Sequence, residues 1–481
     1  MNLNLQTAQL KPIGSANDFI KIEGDHTLQF WESEATRPKR FRGASSESQL
    51  ALAKLSKEGL QNCLYHPFKS ITEIRNEQFE RIKYLVNLAY NDIPVYGKKY
   101  REAGFDPNSF KSWEDFERLP IITKDELLAA FPHSCVNPRW PFDDLFSTRS
   151  FGTSGKTLPI KVNIDGILID TLQGARQFWL QSGLKFSADH MTAMIYTVPW
   201  WFESIGDDFP SAFISGIIHP QKVTQILNEL RPHVISCYPT TLKGLIPYWK
   251  EWDRSRLFLI VVHSEGSSRF ERMSWSKELG VPILDEYSSE EATRMALEMP
   301  CGHYHVCEDT VYLECLDPQT LRPQQDGHSG MAVVTNLINE AMPFIRYFQG
   351  DYISRPATPA PCLMGWSQIN SIDGRINDSF INQDKRVVPA GAILDVLYRW
   401  MYDSGLYLDD FQMRQKNYDE VEVIAIVNAS TPKSKVFDSL EHLEALLLTC
   451  MEYPVKASAK LLDRFPPEVG KRRVIKRTFS I

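Results

Sequence analysis

The chain has 481 residues, 43% of them hydrophobic, 11% aromatic and 23% charged, with a formal net charge of −7. That length predicts two or three domains with ample core, and the acidic balance argues against a protein that neutralises nucleic-acid phosphates. No apolar run reaches the ~20 residues of a membrane helix, the N-terminus lacks the basic and apolar regions of a signal peptide, and the eight scattered cysteines fit reduced thiols in a cytoplasm rather than a disulfide scaffold.

Residues 1–45 end in a basic, Gly/Ser-containing stretch and are expected to form an arm or linker. From Phe79 the apolar positions Phe79, Ile82, Val86 and Ala89 recur at helical spacing. That helix should stop near Asn91–Pro94, because proline disfavours helical geometry in the residue before it. Thr123, with Glu126 three residues on, marks another helix start.

From about residue 145, short apolar strands alternate with amphipathic helices. Strands are predicted at 194–198, 257–262, 281–284, 311–316 and 331–335, with helices at 223–230 and 270–279. This alternation predicts an α/β layering. A Pro-rich break at 355–362 precedes a smaller unit, with a strand at 420–427, a helix at 437–448 and a basic end. The expected organisation is therefore an arm (1–45), a large domain of layered mixed β-sheets and helices (46–375), and a small mobile α+β domain (376–481).

Four segments carry residue types suited to one kind of chemistry. A carboxylate becomes a good electrophile once it is joined to the α-phosphate of ATP, with AMP as the later leaving group. The work needs phosphate donors, a carboxylate for Mg²⁺, an acid on the ribose and a cation at the anionic transition state. STRSFGTSGKT (147–157) has two glycines and several hydroxyls that could wrap phosphates, or it is a flexible surface turn. A kinase-type P-loop fails there, because Ser150 stands where its first glycine belongs. DEYSSEE (285–291) follows the predicted 281–284 strand and could present a carboxylate to Mg²⁺, or it begins a helix with acids that favour the dipole. FIRYFQGD (344–351) and DGRIND (373–378) offer an acid for ribose and an arginine for phosphate, or ordinary turns and ion pairs. EVGKRRV (468–474) is a solvated basic tail or a mobile lysine on a glycine pivot.

In this order, with LPIITKDEL (119–127), VVHSEG (261–266) and CGHYHV (301–306) between them, the segments resemble the acyl-adenylate-forming superfamily, specifically its phenylacetate–coenzyme A ligase-like branch. The resemblance spans roughly residues 65–481. It implies ATP and Mg²⁺ as cofactors and a small-molecule carboxylic acid as substrate. Coenzyme A is the implied acceptor, with an amine or a carrier-protein thiol as alternatives; a degenerate homologue serving as a scaffold is the non-enzyme alternative. By the same resemblance Thr153, Ser154, Gly155 and Lys156 form the phosphate loop, and Ser264, Glu265 and Gly266 the adenine-side wall. Tyr287 lies beside the adenine, Glu291 holds Mg²⁺, Asp351 grips the ribose, Arg375 reaches ribose or phosphate, and Lys471 is the mobile catalytic lysine. A structural Zn²⁺ on Cys301, His305 and Cys362 is also implied, although Ala360 replaces one cysteine of the usual pair.

The chain departs from the family at Phe151, at Glu290, at the hinge (Asn377, followed by Asp378) and in the loop after it, where 382–389 lacks the usual lysine and glycine. Those last changes bear on the coenzyme A step more than on adenylation. Pro199-Trp-Trp-Phe202 either lines an acyl pocket or belongs to the core.

Overall fold

The computed structural model describes Leu60 and residues 62–150, 157–196, 209–216, 218–375, 379–388, 390–429, 431–465 and 474–479. The N-terminal arm, the 153–156 loop, the 199–202 aromatics, Asn377, Asp378 and Lys471 lie outside them. Among the described residues, no helix is long and apolar enough to cross a membrane.

The helix Ile71–Asp92 opens on a capping box in which Ser70 and Glu73 satisfy each other's backbone N–H. It ends where proline predicts: Ile93 is extended, and Pro94 opens the next helix, Pro94–Glu102, where its missing N–H costs nothing. Thr123 and Glu126 form the predicted capping box of Lys124–Ala130.

The centre is an eight-stranded mixed sheet. Strands Thr192–Tyr196, Ser211–Ser215, Val234–Cys237, Leu259–His263 and Ile283–Ser289 pair in parallel. Thr293–Glu298, Tyr304–Val306 and Gln368–Ile369 extend the sheet antiparallel. The first four strands are buried along their whole length because helices cover both faces. Alternate residues feed opposite cores: Met194, Val234, Leu259 and Val261 enter one cluster, and Ile195, Ile235, Ile260 and Val262 the other. Each fully buried aliphatic contributes about 1.5–3 kcal/mol before entropic cost.

A five-stranded sheet lies beside it, built on Val311–Leu316, Ser329–Asn336 and Tyr347–Ser354, with Ile122–Thr123 and Ser371–Arg375 both pairing with Tyr347–Ser354. Further on, strands Lys456–Leu461, Glu420–Val427, Leu408–Asn417 and Ile475–Arg477 form a four-stranded sheet over its own core, with helices Ala390–Asp403 and Leu440–Met451. The helix Ala390–Asp403 touches the preceding part of the chain at Glu271, whose carboxylate takes a bond from Tyr398 and pairs with Lys243 at 2.8 Å. Phe270 stacks on Tyr398 beside that contact.

The mixed α/β architecture and the two units' strands agree with the sequence, and two elements differ. The strand predicted at 281–284 runs as Ile283–Ser289, so Asp285, Glu286 and Tyr287 lie inside it and no acidic helix starts there. Its acids are tolerated because each has a buried partner: Tyr304 donates to Asp285 at 2.6 Å, and Gln177 to Glu286 at 2.7 Å. The helix predicted at 437–448 is two, Lys433–Asp438 and Leu440–Met451. Ser439 separates them, and its carbonyl accepts the indole N–H of the fully buried Trp400 at 2.9 Å.

Candidate active site

The parallel strands deliver their loops to one edge of the sheet, where open α/β folds place ligands. After Leu259–His263, Ser264 takes a left-handed backbone (φ 65°) that turns the chain out of the strand. Glu265 then accepts from the Thr240 backbone N–H at 3.1 Å and its hydroxyl at 2.7 Å, fixing the Ser264-Glu265-Gly266 turn against the start of the helix Pro239–Leu245. His263 is in register with Glu286, so this turn and the DEYSSEE segment leave the sheet side by side.

Three hydrogen bonds join that segment to FIRYFQGD. The Tyr287 hydroxyl donates to Asp351 at 3.0 Å, and the Tyr347 hydroxyl donates to the buried Glu291 at 3.1 Å. Gln349 reinforces the seam by donating to the Tyr287 oxygen at 2.8 Å. Asp351 in turn is the cross-strand neighbour of Arg375. Tyr287, Glu291, Asp351 and the backbone of Arg375 therefore converge from segments distant in sequence.

Charge in this region is managed by burial and pairing. Burial works against the Glu286 carboxylate, but Arg294 and His263 outweigh it and hold its pKa below the ordinary range. Burial pushes Asp285 up to about 7, with Arg272 and the Tyr304 hydroxyl opposing. Asp285, buried and bonded to Tyr304, is thus an internal acid.

The glycine-rich loop enters and leaves the described structure as a hairpin, Phe146–Arg149 pairing with Pro159–Val162. Ser150 N–H donates to the Leu158 carbonyl at 3.0 Å, closing the base of the loop. The Thr148 hydroxyl bonds to Glu290, which ties the hairpin to the acid loop.

Sequence reasoning passed over Tyr347, Gln349, Glu290 and Thr148 as contributors. The first two carried a signal: Tyr347, Gln349 and Asp351 are spaced by two on one strand and so share a face. By contrast, Arg346 of the same motif is structural. It is buried, bonds Glu314 through Nε at 3.1 Å and Nη2 at 2.9 Å, and donates to the Glu117 carbonyl at 2.6 Å. Asp373 is likewise consumed, by the hydroxyls of Ser329 and Ser371.

Away from these residues, ligand atoms of Cys301, His305 and Cys362 lie within 4.8 Å of one another, with Cys301 Sγ 3.6 Å from His305 Nε2. His305 Nδ1 faces the Trp366 carbonyl at 3.3 Å, which places the proton on Nδ1 and frees Nε2. Tetrahedral zinc holds ligands at about 2.0–2.3 Å, hence roughly 3.5 Å apart, and the separation at Cys301 fits. Among the described residues, no fourth His, Cys, Asp or Glu joins the group.

A scan against protein-family models finds no match. The chain is 26% identical over 377 residues to a phenylacetate-coenzyme A ligase of Pseudomonas putida, covering 74% of this chain and 82% of that protein. It is also 26% identical over 346 residues to one from Thermus thermophilus, covering 66% and 74%. Among solved structures, a 2-hydroxyisobutyryl-CoA ligase in the postadenylation state in complex with R3-HIB-AMP superposes with a TM-score of 0.71 at 18% identity, over 86% of this chain and 91% of that one. These comparisons bear out both the fold and the family resemblance carried by the motifs.

Proposed function

We propose that this chain, a relative of the phenylacetate–coenzyme A ligases with the fold of an adenylate-forming enzyme, uses ATP to activate a carboxylic acid and passes the acyl group to coenzyme A. A carboxylate oxygen attacks the α-phosphorus while the bond to pyrophosphate breaks. The thiol sulfur then attacks the acyl carbon, and AMP leaves with that oxygen. The observation that supports this reading is the pair of bonds Tyr287–Asp351 and Tyr347–Glu291, which tie together the two segments that carry three of the inferred nucleotide ligands.

Asp351 accepts the ribose hydroxyls, and Tyr287 orients that carboxylate while lying beside the base. Arg375 reaches the ribose or phosphate, Thr153, Ser154, Gly155 and Lys156 wrap the phosphates, and the Ser264-Glu265-Gly266 turn walls the adenine. Glu291 would hold Mg²⁺, which when bound neutralises phosphate charge. Lys471 supplies the cation at the reacting phosphate. Residues 46–375 and 376–481 are the two moving bodies, and the Tyr398–Glu271–Lys243 contact is where they meet.

A second acceptor class, an amine or a carrier-protein thiol, is favoured by one feature. The loop after the hinge is a short hairpin, Phe380–Ile381 with Val387–Val388, pinned by Gln415 to both backbone groups of Ile381 at 2.8 and 2.6 Å, in place of the family's usual lysine and glycine. A panel of carboxylic acids screened for pyrophosphate release, with and without coenzyme A, tests the proposal. Acid-dependent release, with an acyl-coenzyme A mass among the products, is the expected result. Release with only amide products would move the acceptor to the second class, and no release with any acid would favour a scaffold.

Cys301, His305 and Cys362 would hold Zn²⁺ as a structural cross-link between two surface segments. Burial, with Cys362 beside it, raises the Cys301 thiol, and a bound cation would favour its thiolate form. Protein purified without chelator is expected to carry about one zinc per chain, and Cys362→Ser to lose it. Equal and near-zero metal content in both would end the assignment.

A further inference from the structure

At the start of the strand Ile283–Ser289, away from the acid loop, lies a cavity of about 690 Å³. Its walls come from the turn after the helix Ile164–Gln181, one side of the helix Arg269–Leu279, and Pro282, Ile283 and Leu284. Four cations line it, Lys185, Arg269, Arg272 and Lys277, against one acid, Glu298. Arg272 and Glu298 neutralise each other, Nε to Oε2 at 2.9 Å, and both are buried.

The other three cations have no carboxylate partner among the described residues. Arg269 is nonetheless placed: a Cβ at Gly302 would lie 2.5 Å from its Nη2, so this glycine, itself at φ 83°, lets the guanidinium lie against the wall. An uncompensated positive concavity in a chain of net charge −7 concentrates anions at one place. Beside the charges the wall is apolar, with Phe258, Met299 and Met273, the last 63% exposed. Exposed apolar surface next to unpaired cations suits a ligand with an anionic end and a flat or apolar end.

We propose that this cavity binds a phosphorylated small molecule of nucleotide size, with its phosphates on Lys185, Arg269 and Lys277 and its apolar part against Met273 and Phe258. The volume fits the roughly 300–1,000 Å³ of ligand pockets. The site is separate from the nucleotide cleft: Ile283 at the cavity and Tyr287 in the cleft are four residues, about 13 Å, apart along one strand. It does not depend on the ligase reading, because it rests on charge and shape alone.

Equilibrium dialysis of the full chain in about 50 mM salt, where screening is modest, tests it with inorganic triphosphate, ATP and adenosine 3′,5′-bisphosphate. Saturable binding of at least one nucleotide probe is expected, retained in Asp351→Ala. A nucleotide held more tightly than triphosphate would show that the apolar wall is used, and the preferred nucleotide tells a 5′-polyphosphate ligand from a 3′-phosphorylated one. The double variant Arg269→Ala/Lys277→Ala, at exposed positions, should bind about tenfold more weakly or worse with an unchanged unfolding temperature, and Lys185→Glu should weaken binding independently. No saturable binding by the parent, triphosphate held as tightly as any nucleotide, parental affinity in both cavity variants, or binding abolished by Asp351→Ala would overturn the proposal.

Discussion

Lys471→Ala is expected to reduce acid-dependent exchange of pyrophosphate into ATP by at least about a hundredfold while leaving thermal unfolding unchanged. In the transition state the attacking carboxylate and the departing pyrophosphate crowd negative charge around one phosphorus. Removing a single preorganised charge-stabilising donor from such a site costs about 10²–10³ in rate. Lys471 lies outside the described residues, but its tether is described. Ile475 pairs with Met413, and Val474 accepts from the Met413 N–H at 2.8 Å. Four residues of chain place the lysine within about 13 Å of that sheet. The buried anchor Ile475 is untouched by the substitution, so the fold should survive. Exchange at the parental rate would remove Lys471 from the mechanism.

Asp351→Ala should weaken ATP binding by roughly 30- to 150-fold, since charge-assisted bonds to two ribose hydroxyls contribute about 2–3 kcal/mol together. Asp351 is half-buried within the paired strand Tyr347–Ser354, whose ladder to Arg375 is made by the backbone, so alanine leaves it intact. Asp351→Asn keeps an acceptor but loses the charge and should fall between. Tyr287→Phe removes the 3.0 Å donor that orients the carboxylate and should cost only a few-fold. An Asp351→Ala chain with a parental KM for ATP in acid-dependent pyrophosphate exchange, a readout that the separate cavity does not enter, would show that this carboxylate faces something other than ribose.

Much of this architecture was legible because its signals are local. The Ser/Thr-x-x-Glu caps, the proline at 94 and the apolar run 257–262 each depend on near neighbours, and the helices and strands follow them closely. What escaped depends on distant partners. Asp285 and Glu286 read as the end of a strand, yet Tyr304, Gln177 and Arg294 let the strand continue through them. A break at Ser439 cannot be foreseen without the Trp400 indole that claims its carbonyl.

The site divides in the same way. Glu291, Tyr287 and Asp351 follow from motif order, and the bonds Tyr287–Asp351 and Tyr347–Glu291 join the two segments that carry them. Arg346 and Asp373, neighbours in the same motifs, turn out to be internal supports, a distinction that only their partners Glu314, Ser329 and Ser371 reveal. Tyr347 and Gln349 could have been found by applying the strand's two-residue period to Asp351.

The most direct test follows the oxygen. An acid substrate labelled with ¹⁸O in its carboxylate, turned over with ATP and coenzyme A, should leave one labelled oxygen in AMP and none in pyrophosphate, because the bridging oxygen of the adenylate departs with the nucleotide. Label in inorganic phosphate, or unlabelled AMP alongside acyl product, would contradict attack at the α-phosphorus and with it the role given to this cleft.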